Sequence, residues 1–459
     1  MNSPEYEKIN NIFFIGIAGA GMSALAQYIR QTGKTVSGSD RNFKKNINID
    51  TKIKLEKQGI KCYPQDCSGI NEKTELVVVS TAIEKTVNEY QKALELNIPI
   101  IERSDLLSLV IQEKCCIAVA GTSGKSTVSA MIFHILDYAG HNPSIITGAE
   151  ITSLIEPDKL GNAKYGKGKH IIIEVDESDG SITKYKPELG IILNIDKDHK
   201  ELSELFSLFE TFAKNVKFAL IVNANDSKTM FYSSSKRHNF GYLTDTVIRG
   251  DNYIQNGLIS NFAINDIPFE INMPGFHNVL NAIAATTVAW HIGIDVETSA
   301  EALKKYKGIH RRHQIIGIKN GITLIDDYAH NPAKLAAAIK SYQQGDGKLI
   351  VWFQPHGFGP TKFLRSEFVE NIKHTLRKGD LLFMSEIYYA GGTAVKDISA
   401  KDLIDDLNLK NCFFIEDRKQ CAQNFVKEAD SGDIILLCGA RDPTLSEFAE
   451  YVSGLLDES

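Results

Sequence analysis

The sequence predicts an α/β protein of three domains: an N-terminal Rossmann-like domain, a central P-loop ATPase-like α/β domain and a C-terminal Rossmann-like α/β domain. Three observations predict it. Apolar strand-like runs alternate with helix-like runs along most of the chain, which is the pattern of parallel βαβ units. The length of 459 residues accommodates several domains at roughly 100–200 residues each. Two separate glycine-rich turns, "FFIGIAGAGMSALA" at Phe13–Ala26 and "AVAGTSGKSTV" at Ala118–Val128, each follow an apolar strand and open a helix.

The first unit is read over residues 1–112. "NIFFIGIAG" is a strand, "MSALAQYIRQTG" a helix ending at Gly33, and "KTVSGSD" a second strand ending in Asp40. "TELVVVSTAI" and "IPIIE" are further short strands. A second unit, 113–311, starts with the strand "KCCIAVAG" and the helix "STVSAMIFHILDYAG", followed by the strands "KHIIIEVDES" and "ELGIILNID". Asn225–Pro274 carries short polar strands and turns and reads as an excursion of antiparallel hairpins. "NVLNAIAATTVAWHIG" then returns to helix. The third unit, 312–459, holds the strands "GITLIDDYA", "KLIVWFQP", "DLLFMSEI" and "DIILLCGA".

Composition excludes several function classes. Apolar residues make up 43% and charged residues 24%, as in ordinary globular proteins. The net charge of −6 gives no basic surplus for nucleic acid. The uncharged run Ile9–Ile29 is broken by Gly16, Gly19, Ala20 and Gly21 and follows "MNSPEYEK", which has no basic leader. It reads as strand, turn and helix rather than signal or membrane span. Seven cysteines without a CxxC pair read as reduced thiols. The expectation is a cytoplasmic monomer or homodimer, with neither membrane nor nucleic-acid partner.

The two loops carry the chemistry. In Gly16-x-x-Gly19-x-Gly21, glycines allow a sharp turn and close approach of backbone amides to a diphosphate at a helix N-terminus. Asp40 stands where an acid binds a ribose hydroxyl in dinucleotide enzymes. The motif itself does not separate NAD from a UDP-sugar. In the second loop Val119 takes the place of the usual first glycine, leaving Gly121-Thr122-Ser123-Gly124-Lys125-Ser126. Its N–H groups suit phosphate oxygens, Lys125 suits the β/γ-phosphates, and the Ser126 hydroxyl suits Mg²⁺. Glu174, at the end of an apolar strand, and His199, after the next one, are candidate metal ligands on the same rim.

These motifs resemble the Mur ligase family, the ATP-dependent amide-forming enzymes of peptidoglycan precursor synthesis. The resemblance runs in order through "GIAGAGMSALA", "VSGSD", "VVVSTAI", "IPIIERSDLL", "GTSGKST", "EVDESD", "NIDKDH", "PGFHNVLNAIAA", "GIHRRHQ", "IDDYAHNP", "FQPHGF" and "EIYYAGG". It implies ATP and Mg²⁺ as cofactors, and a UDP-sugar acid and an amino acid as substrates. It implies substrate contacts at Gly16, Gly19, Ala20, Gly21, Met22, Ser39, Asp40, Ser80, Thr81, Ala82 and Arg103. Thr127, Asn278, Asn281, Arg312 and Asp327 are implied to join the phosphate loop around ATP. Tyr328, His330 and His356 are implied near the reacting carboxylate and amine, the two histidines as candidate bases.

The chain also departs from the family pattern. Ser123 stands where histidine is usual in the branch it most resembles. The loop after Pro355-His356, which in that branch carries arginines as "PHRYTRT", reads "PHGFGPT", with Gly357 and Pro360 in their places. "CGARDPT" differs from the branch's glycine-rich ending, and Arg441 is a candidate displaced charge. The expected chemistry is an acyl phosphate formed at the middle loop and captured by an amine, with three domains shielding it from water. The rival readings are an NAD oxidoreductase, a P-loop ATPase acting as a binding module, and a ligase of the same family with another amino acid or a peptide as acceptor.

Overall fold

The computed structural model describes residues 3–45, 47–196, 201–232, 236–343, 347–389 and 395–458. The chain divides into two compact units. The first comprises Met1–Asn252, Phe262–Glu270 and Val279–Lys307; the second comprises Tyr253–Asn261, Ile271–Asn278 and Gly308–Ser459.

The N-terminal sheet contains β1 (Asn11–Ile15), β2 (Thr35–Asp40), β3 (Lys61–Pro64), β4 (Leu76–Val79) and β5 (Ile100–Glu102) in the order β3-β2-β1-β4-β5. All four pairings are parallel. This is the doubly wound arrangement, and its order reverses between β1 and β4, where such sheets bind ligands. β1 shows why an apolar run becomes a central strand. Ile12 and Phe14 pack into one core and Phe13 and Ile15 into another, so both faces of the strand are covered.

The middle sheet contains β6 (Cys115–Ala120), β7 (Ser144–Ile146), β8 (Ala163–Lys164), β9 (His170–Glu174), β10 (Leu189–Ile192), β11 (Ala219–Asn223), β12 (Arg237–Tyr242), β13 (Ile248–Asn256), β14 (Ile259–Ile264) and β15 (Ile267–Ile271). Their order is β15-β14-β13-β12-β11-β10-β6-β9-β7-β8. β6 lies between β9 and β10, parallel to both. The expected run of antiparallel hairpins after Asn225 is corrected at its start: β12 pairs parallel with both β11 and β13. Leu243, at φ +53°, turns the chain, and the link 243–247 brings Ile248 back level with Phe240.

The C-terminal sheet contains β16 (Gln314–Lys319), β17 (Ile322–Asp327), β18 (Leu349–Gln354), β19 (Leu381–Met384), β20 (Cys412–Phe414) and β21 (Ile434–Gly439), ordered β16-β17-β21-β18-β19-β20. Among the described residues of this sheet, only β16, at the edge, runs antiparallel. Leu349, Val351 and Phe353 fill one core, and Ile350 and Trp352 fill the other. The Trp352 indole N–H finds Ser385 Oγ at 3.0 Å, so burying the ring strands no donor. Among the described residues no helix is long and apolar enough to cross a membrane.

Candidate active site

The first glycine loop leaves β1 at the switch point and enters the helix Ala20–Gln31. Its shape is held from β2. The Gly16 and Ile17 N–H groups donate to the Ser39 carbonyl at 2.8 and 2.9 Å, and Ala18 N–H donates to Asp40 Oδ2 at 3.2 Å. Asp40 Oδ1 accepts Asn42 N–H at 2.9 Å, so this buried carboxylate ties the loop to its strand. One side chain expected at the substrate is engaged elsewhere. The Ser39 side chain is fully buried and donates its hydroxyl to Glu89, so it faces the core and not the loop's open side. Burial raises the Glu89 pKa, partly offset by that hydroxyl. Thr81 and Ala82, beyond the end of β4, are exposed.

The second loop leaves β6 and opens the helix Lys125–Tyr138. Gly121 and Gly124 take φ of +140° and +86°, and a Cβ on Gly124 would stand 2.8 Å from Asn281 Oδ1. Glycine is therefore required there, and Asn281 is placed beside the loop. Two of the loop N–H groups expected to face phosphate oxygens are engaged within the protein. Thr122 N–H donates to the Asn194 carbonyl at 3.1 Å, and Ser123 N–H to Asn194 Oδ1 at 2.8 Å. The Thr122 hydroxyl is likewise engaged, with the backbone of Asp196. Asn194, just past β10, thus braces the loop. The first turn of the helix, Lys125-Ser126-Thr127, begins the anion-facing end, since such N–H groups lack intrahelical acceptors.

Around that helix start the polar side chains converge. Lys125 Nζ donates to Glu177 Oε2 at 2.9 Å and to the Gly121 carbonyl at 2.7 Å. Ser126 Oγ donates to Glu174 Oε2 at 3.0 Å, and Thr147 donates to the other oxygen of the same carboxylate. Burial pushes the Asp176 pKa up, but Lys125, the Ser178 hydrogen bonds and Arg103 together hold it below the ordinary carboxylate value.

Both loops open onto one cavity of about 320 Å³ within the first unit. Gly16, Gly19, Ala20, Gly21, Met22, Ser80 and Arg103 line it from the N-terminal sheet, and Lys125, Thr147, Glu174 and Asp176 line it from the middle sheet. A buried clamp fixes this approach. Asn162 Oδ1 accepts Gln27 Nε2 at 2.7 Å, while Asn162 Nδ2 donates to the Ala20 carbonyl and Ser23 Oγ, both at 3.1 Å. His199 lies outside the described residues, and among those described no group of three or more His, Cys, Asp or Glu is gathered for a metal.

The second unit gathers its candidates at the carboxyl ends of β17 and β18. Arg311 forms a buried ion pair with Asp326 at 2.9 Å and reaches the Gly439 carbonyl, also at 2.9 Å. Asp327, expected at ATP, uses its two oxygens to accept His313 N–H and Ala329 N–H, each at 2.8 Å. Asn278 is buried and donates its amide to the Pro274 carbonyl at 2.8 Å, so this part of its side chain holds the start of its own helix. The guanidinium groups of Arg311 and Arg312 each lie 5.5 Å from the Tyr328 ring centre, in cation–π range.

The His330 ring centre is 5.5 Å from those of Tyr328 and His356. His330 Nδ1 lies 2.8 Å from the Tyr328 carbonyl, which makes Nδ1 the protonated nitrogen and leaves the Nε2 lone pair bare. Burial is the main cause that pulls His330 down to about 4, and burial followed by the charge of Arg441 does the same for His356.

Those two shifts give an expected pH dependence. The fold favours the neutral rings, while the unfolded chain protonates near pH 6.5. Their contribution is full above that pH and drains as pH falls toward 4, at up to about 1.4 kcal/mol per pH unit for each histidine. Urea midpoints measured at pH 7 and pH 5 should fall toward pH 5, and less steeply in a His330→Gln/His356→Gln variant. Equal slopes in both proteins contradict the assignment.

Sequence reasoning missed Glu177, Thr147, Asn194 and the Asn162 clamp. Glu177 was visible only as a third acid in "EVDESD", and Asn194 as one more polar residue after an apolar strand. Comparison with known proteins adds an independent finding. Three family models match in order: "Mur ligase family, catalytic domain" over residues 11–114, "Mur ligase middle domain" over 119–289, and "Mur ligase, glutamate ligase domain" over 311–441. The chain is 34% identical over 455 residues to the UDP-N-acetylmuramate–L-alanine ligase of Dictyoglomus turgidum, with 94% of each protein covered. It is 33% identical over 456 residues to the enzyme of that name from Aquifex aeolicus, with 95% of each covered. The crystal structure of UDP-N-acetylmuramate-alanine ligase MurC from Thermotoga maritima superposes with a TM-score of 0.81 at 25% identity, covering 98% of this chain and 100% of that one. A murein peptide ligase from Psychrobacter arcticus shares the fold, with a TM-score of 0.67 at 22% identity over 98% of this chain and 99% of that one.

Proposed function

Because this chain belongs to the Mur ligase family, we propose that it joins the carboxylate of UDP-N-acetylmuramate to the amine of L-alanine, with cleavage of ATP, in peptidoglycan precursor synthesis. One observation carries the reading: the two glycine loops open onto a single cavity that also holds Lys125 and Glu174. A diphosphate handle on the first loop puts the rest of the donor on the side of the phosphate-transfer groups. An oxidoreductase has no use for the second loop, and an ATPase switch has none for the first.

Amide formation from a carboxylate needs a better leaving group than oxide, and the γ-phosphate supplies it. The donor carboxylate attacks the γ-phosphorus, ADP leaves, and an acyl phosphate remains. The Lys125 ammonium, poised between Glu177 and the Gly121 carbonyl, turns to the phosphoryl oxygens as their charge moves. The first-turn N–H groups of the helix take the neighbouring phosphate. The oxygen donors suit a hard divalent cation, since Ser126 and Thr147 already orient both oxygens of the Glu174 carboxylate. Ser126 and Glu174 would hold Mg²⁺, which when bound neutralises phosphate charge. The amine then attacks the acyl carbon, and orthophosphate departs from the tetrahedral intermediate. In the second unit the bare Nε2 of His330 is the acceptor for the amine proton, and His356 flanks it.

A second reading concerns only the acceptor. Gly357 and Pro360 leave the loop after His356 without arginines, which suits a different amino acid or a peptide. Substrate-dependent phosphate release, measured with UDP-N-acetylmuramate and each of the twenty amino acids, decides between the two. The proposal expects L-alanine to give the largest kcat/KM. A larger value for another amino acid, or response to a peptide alone, replaces L-alanine as acceptor.

A further inference from the structure

We propose that Arg441 anchors the α-carboxylate of the incoming amino acid; the assignment rests on the ligase reading above. Three neighbouring parallel strands bring the relevant loops together inside the second unit. β21 lies between β17 and β18, with Asp327 level with Cys438 and Gln354 level with Gly439. Past those levels, β17 continues into Tyr328 and His330, β18 into His356, and β21 into Arg441. Arg441 therefore leaves the sheet one strand spacing, about 4.8 Å, from the histidine loops on either side. That is the scale of an α-amino acid, whose amine and carboxylate lie on one carbon.

The backbone at Arg441 is unusual. The residue takes φ +62°, and Asp442 N–H closes a three-residue turn on the Ala440 carbonyl at 2.8 Å. A γ-turn with positive φ is the rarer, strained hand, and it fixes the direction in which the Arg441 side chain leaves the backbone. The turn is fixed from behind. Asp442 accepts Arg418 Nη1 at 2.8 Å and Thr444 N–H at 2.9 Å, so the adjacent carboxylate is already engaged. The Arg441 side chain is exposed and has no hydrogen-bond or ion-pair partner among the described residues.

Arg312 and Lys334 place their charge on the His330 side, and Arg441 places its charge on the His356 side. In the loop after His356, Gly357 and Pro360 carry none, and Lys362 is held by Asp397 at 2.5 Å. The planar fork of a guanidinium pairs with a carboxylate through two parallel N–H donors, fixing orientation as well as position.

The test is steady-state kinetics of Arg441→Gln, Arg441→Lys and Arg441→Gly, with L-alanine and with L-alaninamide, which lacks the carboxylate. Arg441→Gln is expected to raise the KM for L-alanine about 30-fold, the size of a lost charge-assisted pair, and to change those for ATP and the UDP-sugar by less than about threefold. The lysine variant recovers part of the loss. The wild type discriminates against L-alaninamide, and the glutamine variant does not. Arg441→Gly, which adopts φ +62° freely, melts at or above the wild-type temperature yet shows the same acceptor loss, so misfolding is not its cause. Product formation with an unchanged L-alanine KM in the glutamine and glycine variants overturns the assignment. So does a KM rise that falls on ATP instead. A wild type that joins no amino acid overturns the ligase reading, and the role of Arg441 with it.

Discussion

Replacing Lys125 with alanine should lower product formation by about 10³-fold, the effect of removing one preorganised charge from a developing anion. The KM for the UDP-sugar should stay within about threefold, because the first loop is built from β1 and β2 and shares no hydrogen bond with Lys125. The substitution also leaves Glu177, 7% exposed in its side chain, without its cation. Stability should fall by up to about 3 kcal/mol for that reason alone. A Lys125→Met/Glu177→Gln variant separates the two effects: it should recover the melting temperature and none of the activity. Near-normal turnover in Lys125→Ala would remove the second loop from the chemistry.

Glu174→Gln should cost at least about 10²-fold in kcat with little change in stability. The amide oxygen can still accept one of the two hydroxyls that Ser126 and Thr147 donate, so the local network survives. What is lost is negative charge, which a hard divalent cation requires of its ligand. The Mg²⁺ concentration at half-maximal rate should therefore rise by about 10- to 100-fold, the loss typical of a disturbed metal shell. Titrating Mg²⁺ against initial rate checks it, and coincident curves for wild type and variant exclude Glu174 as a ligand.

The parts legible in the sequence were those whose signal is local. β1, β6, β18 and β21 are covered on both faces and so appear as nearly unbroken apolar runs. The two loops announce themselves because positive φ and close approach demand glycine at fixed offsets from Lys125 and the helix starts. What was hidden depends on register between distant strands. Asn194 braces Ser123 from 71 positions away, and Asn162 reaches Gln27 across 135, spacings that no local pattern encodes. Ser39 was assigned to the substrate through the resemblance of "VSGSD", and a motif match does not show that its hydroxyl turns to Glu89. β12 and β13 were read as part of a run of hairpins because the stretch is polar and rich in turns. Their parallel pairing depends on the turn at Leu243. Arg311 and Arg312 are adjacent in sequence, and only the fold shows that Arg311 is committed to Asp326.

In the mechanism proposed above, ATP cleavage at the second loop is joined to amide formation through an acyl phosphate. Its most direct test supplies UDP-N-acetylmuramate labelled with ¹⁸O in the carboxylate, together with ATP and L-alanine. Mass spectrometry then follows the orthophosphate and the nucleotide-linked product. One labelled oxygen is expected in each phosphate released, with one joined product for each phosphate. Unlabelled phosphate, or labelled phosphate without the joined product, contradicts that mechanism.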